Sequence, residues 1–123
     1  MDFLYLARNF LSAAKTLSEH DDHGLPALIM MCQAAELYLK AFLRAKNFSV
    51  EELRGNFGHD LEALFNRARE LDENLFTPEL GKCLGIVSET YRTRDYLYRA
   101  TGRFPWPPPN FLEVVQGLAG KFG

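Results

Sequence analysis

Apolar residues recur at three- and four-residue steps along most of this chain, the signature of helices that bury one face. Phe3, Leu6, Phe10, Ala13 and Leu17 fall on one side of a segment whose other side carries Arg8, Ser12, Lys15 and Glu19, which predicts an amphipathic helix from about 2 to 19. The run His20-Asp21-Asp22-His23-Gly24 has turn chemistry and no apolar period, so a connection belongs there, and Pro26 suits the first turn of the next helix. That second helix, about 25 to 46, is apolar on most of its circumference: Leu28, Met31, Ala35, Leu39 and Phe42 form one stripe, widened by Ile29, Cys32, Leu37 and Leu43. Wetted only along Gln33, Glu36, Lys40 and Arg44, it is packed on several sides and belongs at the centre.

Ser49 followed by Glu52 is a capping-box pattern for a short helical turn, which Gly55 is expected to stop before Gly58 breaks the chain again. Leu61, Leu64, Phe65, Ala68 and Leu71 define a third long helix with Asp60 at its start, where the positive end of the helix dipole favours a carboxylate. Thr77 and Pro78 are an N-cap and first-turn pair opening a fourth, whose inner row reads Leu80, Leu84, Val87, Tyr91, Arg94 and Tyr98. The prolines around Trp106 predict a stiff extended loop over 100 to 110, after which Asn110 caps a last short helix carrying Phe111, Val114, Val115 and Leu118. With no alternating strand pattern and no internal repeat, the chain reads as one all-α domain, 1 to 123, a four- to five-helix up-and-down bundle built around helices two and four.

Composition changes this picture little. At 123 residues, 47% apolar and 24% charged, the chain is sized and composed for one soluble core. A net charge of -2 excludes a broadly basic nucleic-acid surface but leaves room for a local arginine cluster. Cys32 and Cys83 lie on different helices without ligand spacing and read as small core residues. The start Met1-Asp2-Phe3-Leu4 lacks a secretory pattern, and the charges on the second helix argue against a membrane span, so a cytoplasmic location is expected.

The chemistry-bearing positions each admit two readings. Glu36 and Lys40, in the favourable i, i+4 order, either line a polar site inside the bundle or form a solvent-facing pair. His59 either orients a ligand and exchanges a proton or caps a backbone carbonyl, and Asp60 reads as a helix-start residue. Arg94 interrupts an apolar row and needs a carboxylate, carbonyl groups or a bound anion; a pair with Glu36, Asp60 or Glu89 would be the structural solution. Arg92, Arg94, Arg99 and Arg103 make this the most basic stretch, with Tyr96, Tyr98 and Trp106 as stacking surfaces. The His20 to His23 run reads as loop polarity, since consecutive residues do not converge on one ion unaided. There is no phosphate-cradling glycine loop and no serine or cysteine with an evident base, and no cofactor is expected.

The segments AAELYLKAFL (Ala34 to Leu43), FGHDLEALF (Phe57 to Phe65) and YRTRDYLYR (Tyr91 to Arg99), in this order, resemble the HEPN superfamily of helical bundles over roughly residues 3 to 100. The resemblance implies a four- or five-helix bundle that often dimerises, with members that associate with small nucleotidyltransferases, bind nucleotides or cleave RNA. The cleaving members carry an arginine, a polar residue and, a few positions on, a histidine. Here Arg94 and Asp95 fit, but Arg99 stands where the histidine would be, and a permanently protonated guanidinium cannot act as a general base. Arg54 and His59 repeat the bare spacing, yet Gly55 follows the arginine and the pair lies in the first half of the chain, so the match is read as coincidence.

The expectation is therefore a non-catalytic HEPN-like module binding a nucleotide or phosphate through Glu36, Lys40, His59, Asp60, Arg94 and Arg99. Homodimerisation, through the Pro-Trp loop and the last helix, goes with it, as does partnership with a nucleotidyltransferase in a toxin-antitoxin pair. The competing expectations are a metal-independent RNase using Arg54, His59 and Arg94 across a dimer, and a purely structural interaction partner.

Overall fold

The computed structural model describes residues 2–19, 24–74, 76–93 and 110–122, and among these it is all helical, without strands. Helix α1 spans Phe3–Ser18, α2 Gly24–Ala45, α3 Val50–Glu52, α4 Leu61–Leu71, α5 Pro78–Thr93 and α6 Phe111–Gly120; α3 runs directly into a π turn, Leu53–Phe57. The expected helical bundle is the one formed. Its ends follow local chemistry. Asp2 accepts from the Tyr5 amide to start α1, Ser49 and Glu52 close a reciprocal capping box on α3, and Thr77 Oγ1 accepts from the Leu80 amide ahead of Pro78. At the end of α2, Asn47 takes a left-handed φ of 75°, while the Phe48 amide bonds the Leu43 carbonyl and the Asn47 amide that of Arg44, a Schellman closure with asparagine in the usual glycine position.

Two sequence expectations about breakers need correction. Gly55 does not stop the short helix: the chain winds through it in the π turn, anchored by the fully buried Leu53, and the left-handed break falls at Gly58, φ 53°. A positive φ is open to glycine at little steric cost, and here Gly58 takes it, with ψ -119°. Asn110 precedes α6 but gives it no side-chain cap; it sits at φ 64°, which turns its side chain away from the amides it was expected to bond, and its carbonyl accepts from Val114 instead.

Helix α2 is the hub. It contacts α1, α4, α5, α6 and the π turn, so nearly every position from Ala34 to Leu43 is covered. By length and composition α2 could cross a membrane, but 67% of its apolar stretch is buried inside the bundle, as a central core helix requires. Alanines at Ala7, Ala14, Ala27, Ala34 and Ala35, all buried, let α1 and α2 approach closely. The opposite side is filled by aromatic side chains, with Phe42 edge-on to Phe76 at 4.9 Å and Phe65 edge-on to Phe76 at 6.2 Å. The core is thus laid down around α2, with α5 as one of several partners rather than its equal.

The His20 to His23 run, the extended loop around Trp106, and Arg94, Tyr96, Tyr98, Arg99 and Arg103 lie outside the described residues.

Close packing of α4 on α5 yields a paired test. A Cβ at Gly81 would meet the buried Phe65 ring at 2.9 Å, whereas one at Gly85 meets nothing nearer than 4.0 Å. Gly85→Ala should stabilise the protein by up to about 1 kcal/mol through helix propensity alone. Gly81→Ala should lose that gain and about 1–3 kcal/mol more to overpacking. Urea unfolding of the two variants measures both signs.

Candidate functional site

The charged stripe of α2 does not face water. Glu36 is 3% exposed and Lys40 8%, in the stretch of helix that meets α4 and α5, which corrects the reading of both as a solvated pair. Of the four polar positions on the stripe, only Arg44, past the covered region, is exposed; its guanidinium donates to the Phe48 carbonyl at 3.2 Å.

Burying a carboxylate is costly unless its oxygens are bonded, and those of Glu36 are. Lys40 Nζ donates to Oε2 at 2.9 Å, Tyr91 Oη donates to Oε1 at 2.7 Å, and His59 Nδ1 lies 2.8 Å from the same Oε1. The partners come from separate places: one turn along α2, the far end of α5, and the link between the π turn and α4. The link is held at both ends, by the left-handed Gly58 before His59 and by Asp60 after it, whose Oδ1 accepts from the Ala63 amide at 3.0 Å as the N-cap of α4. Ser88, buried on α5, accepts from the Glu62 amide at 3.3 Å and fastens the start of α4 to α5. His59 and Tyr91 stand edge to face at 6.0 Å.

The bonding pattern specifies the imidazole. With the Lys40 ammonium on one oxygen and a hydroxyl donating to the other, Glu36 is an acceptor-only carboxylate, so Nδ1 of His59 is the donor in their bond. The His59 side chain is 42% exposed. A carboxylate orienting a histidine in this way is the arrangement by which proton acceptors and hydrogen-bonding histidines are fixed in position.

Of the residues singled out from sequence, Glu36, Lys40 and His59 are brought together. Asp60 adjoins them as a helix cap and lines a polar cleft of about 450 Å³ with Ser88, Glu89 and Arg92. Arg54 is exposed on the π turn and supplies none of the hydrogen bonds to Glu36. The residue to which sequence reasoning assigned no role in the site is Tyr91, read as part of an apolar row and as the start of the third HEPN-resembling segment. A tyrosine in such a row must find a partner for its hydroxyl, and that was the available signal. Among the described residues no cluster of His, Cys, Asp and Glu is arranged to hold a metal ion.

The order of the helices, the polar centre carried on α2 and closed by the His59 link, and the tyrosine of α5 can be set beside known families. The profile of the HEPN domain matches residues 1–105. The chain belongs to the HEPN domain family. No curated protein and no solved structure matches it at a comparable level. Arg94 and Arg99, which the sequence reading assigned to the same site in this HEPN domain, lie outside the described residues, although within the matched range.

One turn before Glu36, the buried Cys32 thiol is pushed far above its ordinary value, first by burial and then by the Glu36 carboxylate. An unfolded Cys32 ionises near 9.0, the folded one only at higher pH, so above that value the folded chain keeps a proton that the unfolded chain has lost. The stability this contributes is complete below about pH 8 and declines as pH rises beyond about 9. Chemical unfolding at about pH 8 and about pH 10 should show a smaller loss in Cys32→Ala than in the wild type.

The ion pair makes a second prediction. Lys40→Met leaves a buried carboxylate without its cation and should cost about 3–5 kcal/mol. In the double variant Glu36→Gln/Lys40→Met no charge remains to be balanced, and much of that loss should return. A urea-unfolding cycle over the two sites reads the difference.

Proposed function

We propose that this HEPN domain binds a phosphate-bearing nucleotide and serves as a binding and assembly module rather than as an RNA-cleaving enzyme. The observation that carries this reading is the Glu36 carboxylate, bonded to Lys40, His59 and Tyr91, which holds a part-exposed imidazole at a fixed position and orientation. Arg94 and Arg99 follow Tyr91 within a few residues of sequence and supply the fixed positive charge for phosphate in this reading. Arg99 at the usual histidine position speaks against the cleavage chemistry of other members, since a guanidinium does not exchange protons near neutral pH. Asp60, engaged in capping α4, contributes to ligand binding through the backbone it holds. Homodimerisation, a cytoplasmic location and partnership with a nucleotidyltransferase in a toxin-antitoxin pair complete the proposal.

The Glu36–His59 bond also favours a second reading, in which His59 acts as the proton acceptor of a metal-independent RNase with a divergent site. One set of measurements separates the two. ATP, added at about 100 times its dissociation constant, should stabilise the wild type by about 2.7 kcal/mol in thermal unfolding, and Arg94→Ala should abolish the effect. Single-stranded RNA incubated with the protein should remain intact. RNA cleavage that disappears in His59→Ala would replace the binding reading with the nuclease one, and indifference to both nucleotide and RNA would leave the structural-partner role.

A further inference from the structure

Beyond the Glu36 centre, at the C-terminal end of α2, an open cavity of about 860 Å³ lies between the start of α1, the last turns of α2 and the end of α6. It shares no residue with that centre. Its floor is apolar: Phe3 and Phe42 are buried, and Leu4, Ala41 and Phe122 are half-buried. Two of the rings are fixed from behind, Phe42 edge-on to Phe76 at 4.9 Å and Phe122 tilted against the buried Tyr38 at 5.4 Å. The hollow is therefore preformed, as small-molecule sites usually are.

The wall carries charge of one sign. Arg44, Lys46 and Lys121 line it and are exposed, while the carboxylate beside them, Asp2, is engaged by the Tyr5 amide at the start of α1. Among the described residues no carboxylate pairs with any of the three cations. Cations at helix C-termini ordinarily serve the dipole and the orphan carbonyls. Here the backbone itself supplies that capping. The carbonyls of Phe42, Leu43 and Arg44 accept from the amides of Lys46, Phe48 and Asn47, and those of Leu118 and Ala119 accept from Lys121 and Phe122. Arg44 gives a donor to the Phe48 carbonyl, and the Lys46 ammonium rests over the Phe42 ring, 5.5 Å from its centroid, with a π face in place of a counter-ion.

We infer that this cavity is a separate binding site for an amphipathic anion, a single apolar chain laid on Phe3, Phe42 and Phe122 with its carboxylate held by Arg44, Lys46 and Lys121. A medium-chain fatty acid has this chemistry. The apolar floor alone names no occupant, but the cations do: a chain seated in the hollow brings its head group to a wall rich in charged donors, where a carboxylate gains and a neutral or cationic head does not. Because these charges stay in contact with solvent, each contributes modestly, and the chain supplies most of the affinity.

Titration calorimetry of the whole protein with decanoate, kept below the concentration at which it forms micelles, tests the inference, with proton–nitrogen NMR to place the ligand. The expected result is saturable binding, shifts centred on Phe42, Lys46 and Phe122, and affinity that rises about fourfold per methylene from hexanoate to decanoate. Decanol should bind about fivefold more weakly than decanoate, and decylammonium no better than decanol. Lys46→Gln/Lys121→Gln, which alters two exposed side chains and leaves the core intact, should weaken decanoate about fivefold and leave decanol unchanged. Absence of saturable binding, equal affinity for decanoate and decylammonium, shifts away from the cavity, or an unchanged decanoate affinity in the double variant overturns the inference. Association with anionic vesicles without binding of monomeric decanoate also overturns it, and makes this face a membrane contact instead.

Discussion

A carboxylate at the centre of a helical bundle must be satisfied on every side or it unfolds the bundle, and Glu36 meets that requirement by drawing donors from three separate stretches of the chain. Its bond to Lys40 is local, within one helix, and forms as soon as α2 does. The bonds to His59 and Tyr91 cross 23 and 55 residues and exist only when α4 and α5 have docked on α2. Apolar packing alone would tolerate small slides and rotations of these helices. A charge with fixed partners does not, because each slide leaves a buried oxygen short of a donor. The polar centre therefore sets the register in which the apolar faces meet.

The same constraint joins fold to function. The link between the π turn and α4 brings an imidazole against Glu36, and it is fixed by the positive-φ Gly58 on one side and the Asp60 cap on the other. Ser88 secures the start of α4 from the side of α5. His59 is thus held by backbone geometry as well as by its own hydrogen bond, and a ring held in this way can present one defined edge. In sequence, Tyr91 is followed by a cluster of arginines, Arg92, Arg94, Arg99 and Arg103.

Much of the scaffold was legible in the chain itself, because helix boundaries depend on chemistry within a few residues. The Ser49–Glu52 box, the Thr77–Pro78 start and the largely apolar girth of α2 each carry their own local cause. Gly55 and Asn110 were harder, since both depend on which residue takes a positive φ, and here Gly58 and Asn110 take it. The site was legible only in part. Periodicity grouped Glu36 with Lys40 on one stripe but could not say whether that stripe met water or another helix. The partners that settle the matter, His59 and Tyr91, lie too far along the chain for any local pattern to connect them. Tyr91 in a row of aliphatic residues was the one visible hint that a hydroxyl would be needed in the interior.

The dependence of the bundle on its buried carboxylate is tested most directly by a double-mutant cycle between α2 and α5, with Glu36→Gln and Tyr91→Phe made singly and together and unfolding free energies measured in urea. Removing the tyrosine oxygen deletes its bond to Glu36. A coupling energy of about 1.5–3 kcal/mol, as for a hydrogen bond to a charged group, is the result expected. Additive effects, with a coupling of about zero, would contradict the account, for they would mean that the two residues lie side by side without holding the helices together.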